Sequence, residues 1–340
     1  MLTNILSLTF SYDILFFLIV FIGGFFMAMS SFVDMPRVCE SYTYKLENVK
    51  YPEVLALYTK SKNNYWIPEE YDLANDKHEF YEKLNDIERH YMLYTVGFFS
   101  SAEGWVGQNI LEISKRLRNT ETRMFLGYQL MEEMKHVDTF RYIMDGLDLK
   151  ASEVYAMHES VKEIKRKADF EVSRAMRLCE EPTEENLIED LFVYYAILEG
   201  LFFFSGFVTP LAFGRRGVLK NVAALVRWIL KDETRHLAFG IYILNELLKE
   251  KNKDDYKDKF RALMEEAVDI ETEYARVAMP EKIIGLSFES YSSYVRYLAD
   301  RRMRSLGFEA IYGQKNPMKW LTTQTDLPDL TNFFEAKVDY

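Results

Sequence analysis

Cysteine is nearly absent from this 340-residue chain: Cys39 and Cys179 are the only two, and they form no C-x-x-C pair. No disulfide framework is implied, and a reducing, cytoplasmic setting is the simplest home. Basic residues are also in short supply. With 42 Lys and Arg against 53 Asp and Glu, the formal net charge is −11. That argues against a nucleic-acid-binding face, because phosphate contacts need clustered cations. Strand-like alternation never persists beyond a few residues, so the expected class is all-α. Histidine is scarce as well, at five, which makes the position of each one informative.

What is present describes a globular protein of one large domain or two. Apolar residues make up 49% and charged residues 28%, enough for a full core. The 25 Phe and 23 Tyr read as water exclusion around that core, not as a base-stacking platform. Residues 14–29 (ILFFLIVFIGGFFMAM) form an uncharged run just short of bilayer length. The favoured reading is an upstream start codon, with the working protein beginning at Met27, Met29 or Met35. A membrane anchor and a folded amphipathic element are the alternatives, and membrane contact is expected only if this segment is real. A signal peptide is disfavoured, since no Lys or Arg precedes the run. Nothing after residue 35 reads as a spanning segment.

An N-terminal leader (1–35) is followed by an extended arm (36–76) with a short helix near 52–60 and a turn at Trp66-Ile-Pro-Glu-Glu70. Residues 77–310 then read as a helical domain, and 311–340 as a C-terminal segment. Helices are expected at 79–116, 121–146, 152–179, 184–209, 218–249, 254–279 and 287–306. They are punctuated by Asn119, Gly146, Pro182, Pro210, Gly217, Pro280 and Gly307. The run Lys162-Glu-Ile-Lys-Arg-Lys167 is expected to be a solvated face.

Two of the five histidines sit three residues after a glutamate, in Glu133-Met-Lys-His136 and Glu233-Thr-Arg-His236. On a helix this spacing puts carboxylate and imidazole on one face, one turn apart. Glu103, in FFSSAEGWVGQNI, and Glu199, in YYAILEGLFFFSGF, offer one carboxylate from each of two further apolar helices. Two Glu-x-x-His helices plus two single glutamates form the ligand set of dinuclear carboxylate bundles. Four carboxylates with two imidazoles suit iron or manganese, whereas zinc prefers fewer carboxylates or some thiolate. The bland alternative, surface glutamates and core histidines, is hard to sustain for six residues in apolar surroundings. Glu132 is expected to pair outward with Lys135. His78, His90 and His158 lack the spacing and read as surface or helix-end residues.

With these residues in place, the chain from about Trp66 to Tyr340 resembles the small, radical-generating subunit of class I ribonucleotide reductase. The stretches YWIPEEYDL, LEGLFFFSGF, LKDETRHLAFG, YVRYLADRRM, KNPMKW and TNFFEAKVDY carry the likeness. The resemblance implies a ferritin-like bundle with Glu103, Glu133, His136, Glu199, Glu233 and His236 as metal ligands. It also implies an apolar shell of Phe203, Phe207 and Ile229, and a chain from Trp66 through Asp232 and His136 that moves an electron and a proton. It further implies O2 as oxidant, a homodimer, and a large catalytic subunit as partner. Phe140 stands where the family's radical tyrosine falls, four residues after the first histidine ligand. The chain therefore resembles the subclass with Phe in that place, which stores its oxidant on a manganese–iron pair. Glu103, where many relatives have Asp, is compatible with that. Mn/Fe is favoured over Fe/Fe or Mn/Mn, which share the same ligands.

Tyr194, Tyr195 and Trp228 are candidate relays, with packing the favoured reading for each. Relatives continue past the NFFE-x-x-V segment into a docking tail, whereas this sequence runs to Tyr340. A ligand-binding Mn/Fe oxidase on the same scaffold is the alternative. Val106 and Tyr194 occupy the places of that group's Val–Tyr crosslink, but Phe202, Phe203 and Phe204 would crowd a lipid tunnel. Iron storage is weaker, since Trp66 and Asp232 would then have no purpose.

Overall fold

The computed structural model describes residues 45–47, 49–283 and 285–321. The run at 14–29, the first part of the arm and the TNFFEAKVDY segment lie outside these residues. The described chain is built from α1 Pro52–Lys62, α2 Ala74–Glu82, α3 Asp86–Arg116, α4 Thr120–Gly146, α5 Ala151–Ser160 and α6 Lys162–Glu180. It continues through α7 Glu184–Arg216, α8 Lys220–Leu248, α9 Asp254–Ala278 and α10 Phe288–Ser305. An isolated bridge between Ile283 and Leu286 is the one strand-like feature among the described residues. The fold is all-α, as expected.

Four long helices, α3, α4, α7 and α8, form the centre. The α3 helix lies along α4, and α8 packs on both halves of α7. Phe99 on α3 shows how these helices are locked. Its ring stacks at 4.9 Å on Phe140 of α4 and at 4.9 Å on Phe207 of α7. The arm is not separate from this body: α1 packs on α4, and Trp66 is buried at 1% exposure.

Several boundaries differ from expectation. The helix anticipated at 79–116 is two helices, because Asn85 leaves helical geometry and caps α3. Its side chain accepts from the Glu88 N–H, and the Glu88 carboxylate accepts from the Asn85 N–H. The stretch 152–179 is likewise broken, at Val161, which takes an extended conformation between α5 and α6. The helix expected to end at 209 runs on to Arg216. Pro210 falls in the first turn of its last segment, where a missing N–H costs little, and Gly217 ends it at φ +86°.

Lys167 corrects the expected solvated run. It is 1% exposed, with its Nζ 2.7 Å from Glu271 Oε2 and 3.3 Å above the Phe98 ring. Among the described residues one helix, Glu184–Arg216, is long and apolar enough to cross a membrane by length and composition. Its apolar window is wholly buried in the protein, so it is read as the core helix of the bundle.

The middle of α7 is wound as a π-helix from Phe192 to Phe203. Such widened turns concentrate at functional sites, because they re-aim side chains that a regular helix would space differently. The ligand candidate Glu199 lies inside this stretch.

Candidate metal centre

Each central helix delivers its share of the site inward. Glu103 comes from the middle of α3, Glu133 and His136 from α4, Glu199 from the π-wound part of α7, and Glu233 and His236 from α8. All six are fully buried. Their donor atoms fall into two overlapping quartets. Glu103, Glu133, His136 and Glu233 have donors within 4.8 Å of one another, as do Glu133, Glu199, Glu233 and His236. Glu133 and Glu233 belong to both, and each quartet adds one carboxylate and one imidazole of its own.

The spacings suit metal binding better than hydrogen bonding. His136 Nδ1 lies 3.2 Å from Glu133, 3.1 Å from Glu233 and 3.7 Å from Glu103. His236 Nδ1 lies 3.1 Å from Glu133 and 3.5 Å from Glu233. Two donors about 2.1 Å from a shared ion sit roughly 3 Å apart at octahedral or tetrahedral angles. Both oxygens of Glu103 and of Glu233, Oε2 of Glu199 and Nδ1 of His236 are buried without a hydrogen-bond partner. Unmet polar atoms at this depth are costly, and two cations would satisfy them together.

The electrostatics of the protein groups point the same way. Burial, with the neighbouring carboxylates adding to it, pushes Glu103 and Glu199 well above the usual carboxylate range. His136 and His236 are raised well above an ordinary imidazole by the facing carboxylates, although burial opposes this. Without metal these donors thus hold protons, which divalent ions would displace on binding. The hard oxygen-rich set fits iron or manganese.

Outside the ligands, the two histidines are held in a reciprocal way. His136 Nε2 is 3.3 Å from Asp232 Oδ2 on α8, and His236 Nε2 is 2.9 Å from Glu132 Oε2 on α4. Arg235 bridges this outer pair, bonded to Asp232 and 3.6 Å from Glu132. Glu132 therefore does not face outward. It is 1% exposed and orients the second histidine. Lys135 turns in as well, with its Nζ 3.1 Å from Asp232 and 4.4 Å over the Trp66 ring.

Sequence reasoning missed this device, yet the signal was there: Glu-Glu-Met-Lys-His and Asp-Glu-Thr-Arg-His share the pattern acid, Glu, x, base, His. Gln129, one turn before Glu133, was also missed. Its Nε2 donates to Glu199 at 2.8 Å, and its Oε1 accepts from the Tyr195 hydroxyl at 3.0 Å.

Trp66 and Asp232 meet in the structure. The indole Nε1 donates to Asp232 Oδ2 at 2.8 Å, and the indole ring stacks on His136 at 6.3 Å. Beyond it, Trp228 stacks on Trp66 at 6.3 Å, and its own N–H donates to the Tyr71 hydroxyl. Tyr194 and Tyr195 are fully buried beside Gln129, and burial drives both phenols well above their ordinary range. Phe140 is buried against Phe99. Phe203, Phe207 and Ile229 are also buried. His90 is half-buried on a backbone carbonyl of α9, and His78 and His158 stay outside the site.

An all-α bundle with this interior defines the ferritin-like class of dinuclear carboxylate proteins. Comparison with known proteins narrows the class. The family described as "Ribonucleotide reductase, small chain" matches residues 43–317. The ribonucleoside-diphosphate reductase subunit beta of Chlamydia pneumoniae is 36% identical over 307 residues, covering 86% of this chain and 88% of its own length. The small subunit of Dictyostelium discoideum is 29% identical over 85% of this chain and 83% of its own. The ribonucleotide reductase R2 subunit from Clostridium botulinum superimposes with a TM-score of 0.78 at 25% identity, over 84% of this chain and 92% of that one. An R2-like ligand-binding oxidase reconstituted with Mn/Fe shares the fold at a TM-score of 0.66 and 22% identity, over 77% of this chain and 98% of that one. The chain belongs to the ribonucleotide reductase small-chain family. It is thus the small subunit of an oxidoreductase that works with a separate large subunit.

Proposed function

We propose that this chain is a ribonucleoside-diphosphate reductase small subunit of the subclass that keeps its oxidising equivalent on the metals, with Mn/Fe as the working pair. The observation that carries the subclass is Phe140. It sits buried against Phe99, where a radical-bearing tyrosine would be needed. A phenol gives up an electron and a proton together at accessible potential, and a benzene ring does not. When bound, the metals supply O2 reduction and storage of the oxidant.

The protein's residues do the rest. Glu103, Glu133, His136, Glu199, Glu233 and His236 would hold the metals, and the stacked phenylalanines exclude water. Asp232 holds His136 and the Trp66 N–H at once, which supports a route for an electron and a proton between the site and a docked large subunit. We further infer a cytoplasmic homodimer. The 1–35, 36–76, 77–310 and 311–340 division is retained, with the arm contributing Trp66 to the bundle.

The oxidase alternative draws on the shared scaffold and on buried Val106 and Tyr194. Against it, Phe202, Phe203 and Phe204 fill core space. The test is metal analysis and electron paramagnetic resonance on aerobically activated protein, followed by a large subunit and a ribonucleoside diphosphate. Deoxynucleotide formation without a tyrosyl signal is expected. A tyrosyl signal would sink the subclass. No turnover, with a mass lower by two hydrogens from a Val106–Tyr194 crosslink, would favour the oxidase.

A further inference from the structure

Behind the metal centre lies an acidic pair that its chemistry has not used. Glu171 on α6 and Asp190 on α7 are 3% and 1% exposed, and neither forms an ion pair with Lys or Arg among the described residues. Asp190 Oδ1 accepts from Asn109 Nδ2 at 3.2 Å, while Asp190 Oδ2 and Asn109 Oδ1 are buried with no partner. A cavity of about 180 Å³ reaches Glu171 and Asn109 from the surface, and Asp190 lies behind Asn109, whose side-chain amide it accepts from. Half-exposed Trp105 and Met176 stand at its outer side with Ala175, and buried Asn109 and Glu171 line its inner side. Glu171 also borders a second space of about 10 Å³ beside Lys167 and Ser101. The larger space has room for several waters, and the smaller is near the limit for one.

The pair is coupled to the ligand sphere. Glu171 feels the charge of Glu133, and Tyr195 feels that of Asp190. Tyr194 lies four residues after Asp190, on the same side of α7, and its hydroxyl accepts from Gln129 Nε2, which also donates to Glu199. Burial first, then Asp190 and Glu133, lifts Glu171 to about 8. Burial lifts Asp190 to about 7, helped by Glu189 and Glu112 and opposed by Asn109 and Arg116. Near neutral pH the pair therefore holds a proton available to give and retake.

We propose that the cavity beneath Trp105 is the water inlet of the metal centre, and that Glu171 and Asp190 pass protons from it toward Tyr194 and Glu199. This rests on the functional reading above. Reducing one O2 to two waters takes four protons, with four electrons from the divalent metals and an external one-electron donor. The pair moves only protons: Asp190 releases one inward, Glu171 replaces it, and cavity water reprotonates Glu171, leaving both as they began. Glu171 and Asp190 are positioning and relay groups, not ligands.

The test uses the full-length protein with Glu171→Gln, Asp190→Asn, Glu171→Ala, and Ala175→Phe, which narrows the cavity and leaves both carboxyls in place. In the metal-free protein both carboxyls hold protons more tightly folded than unfolded. Their stabilisation is therefore complete near pH 4 and lost as pH rises toward about 8. Denaturant unfolding from pH 5 to 9 should show that fall flattened in the Gln and Asn variants. After loading with Fe(II) and Mn(II), all variants should bind wild-type amounts of metal. Their oxidation by O2 in stopped flow should be roughly a hundredfold slower, with a larger solvent deuterium effect, and formate should restore Glu171→Ala. Normal oxidation rates and isotope effects in the Gln, Asn and Phe variants would overturn the inlet. A wild type that takes up no metal would instead sink the functional reading, while the pH arm still reports the shared proton.

Discussion

Glu132 shows how much of this site is decided one bond beyond the ligands. A histidine ligand needs its far nitrogen tied down, because that bond fixes both tautomer and ring orientation. Here each Glu-x-x-His helix supplies the tie for the other helix's histidine, through Asp232 and Glu132, and Arg235 spans both carboxylates. Replacing Glu132 by Gln keeps the volume and removes the charge that holds His236. Metal affinity should fall about 10- to 100-fold, with the fold retained, as measured by competition against a chelator. An unchanged affinity would mean that the Glu132 contact is packing alone. Of the six candidate ligands that the structure gathers, four were legible because Glu-x-x-His is a local pattern. Glu132 was not, because a Glu three residues before a Lys resembles a surface pair until the whole helix is known to be buried.

At the level of elements, helix interiors were readable and their interruptions only partly so. Asn85 and Glu88 carry a capping box in the sequence itself, so the break before α3 was available to a closer reading. Val161 gives no such sign, and neither does the π-winding around Glu199, which tertiary packing imposes. Gly240 records that packing: a Cβ there would lie 1.9 Å from Tyr195 Cγ, so α7 and α8 can meet only with glycine at this position. Lys167 was misjudged because five charges in six residues suggest a solvated face, yet one of them turns inward between Phe98 and Tyr274 to meet Glu271. Burial pulls its ammonium down to about 8, against the pull of Glu271. Lys167→Met would strand the Glu271 carboxylate, on which Ser205 and Tyr291 also converge. It should cost about 3–5 kcal/mol in denaturant unfolding. The double variant with Glu271→Gln should recover much of that loss, and if it does not, the pair is not what makes the position sensitive.

On the scale of the whole molecule, the arm and the bundle form one functional unit. Trp66 reaches Asp232 across 166 positions of sequence. No local pattern foretells such a contact; only the family likeness around YWIPEEYDL did. Stacked between His136 and Trp228, with Lys135 above its ring, Trp66 connects the buried ligand to a half-buried indole nearer the surface. If that connection is a transfer route, its loss should leave the metal site intact and cut the link to the partner. Trp66→Phe keeps the apolar bulk but removes the N–H donated to Asp232, and losing a hydrogen bond to a charged group costs roughly 1.5–3 kcal/mol. The variant should therefore melt lower yet load wild-type amounts of metal. It should be oxidised by O2 as before, while ribonucleotide reduction with the large subunit drops to background. Trp228→Phe, which preserves a stacked ring but loses the bond to Tyr71, separates the two halves of the route. Turnover near wild type in that variant would end the path at Trp66, whereas loss of turnover with normal metal content would extend it to the surface.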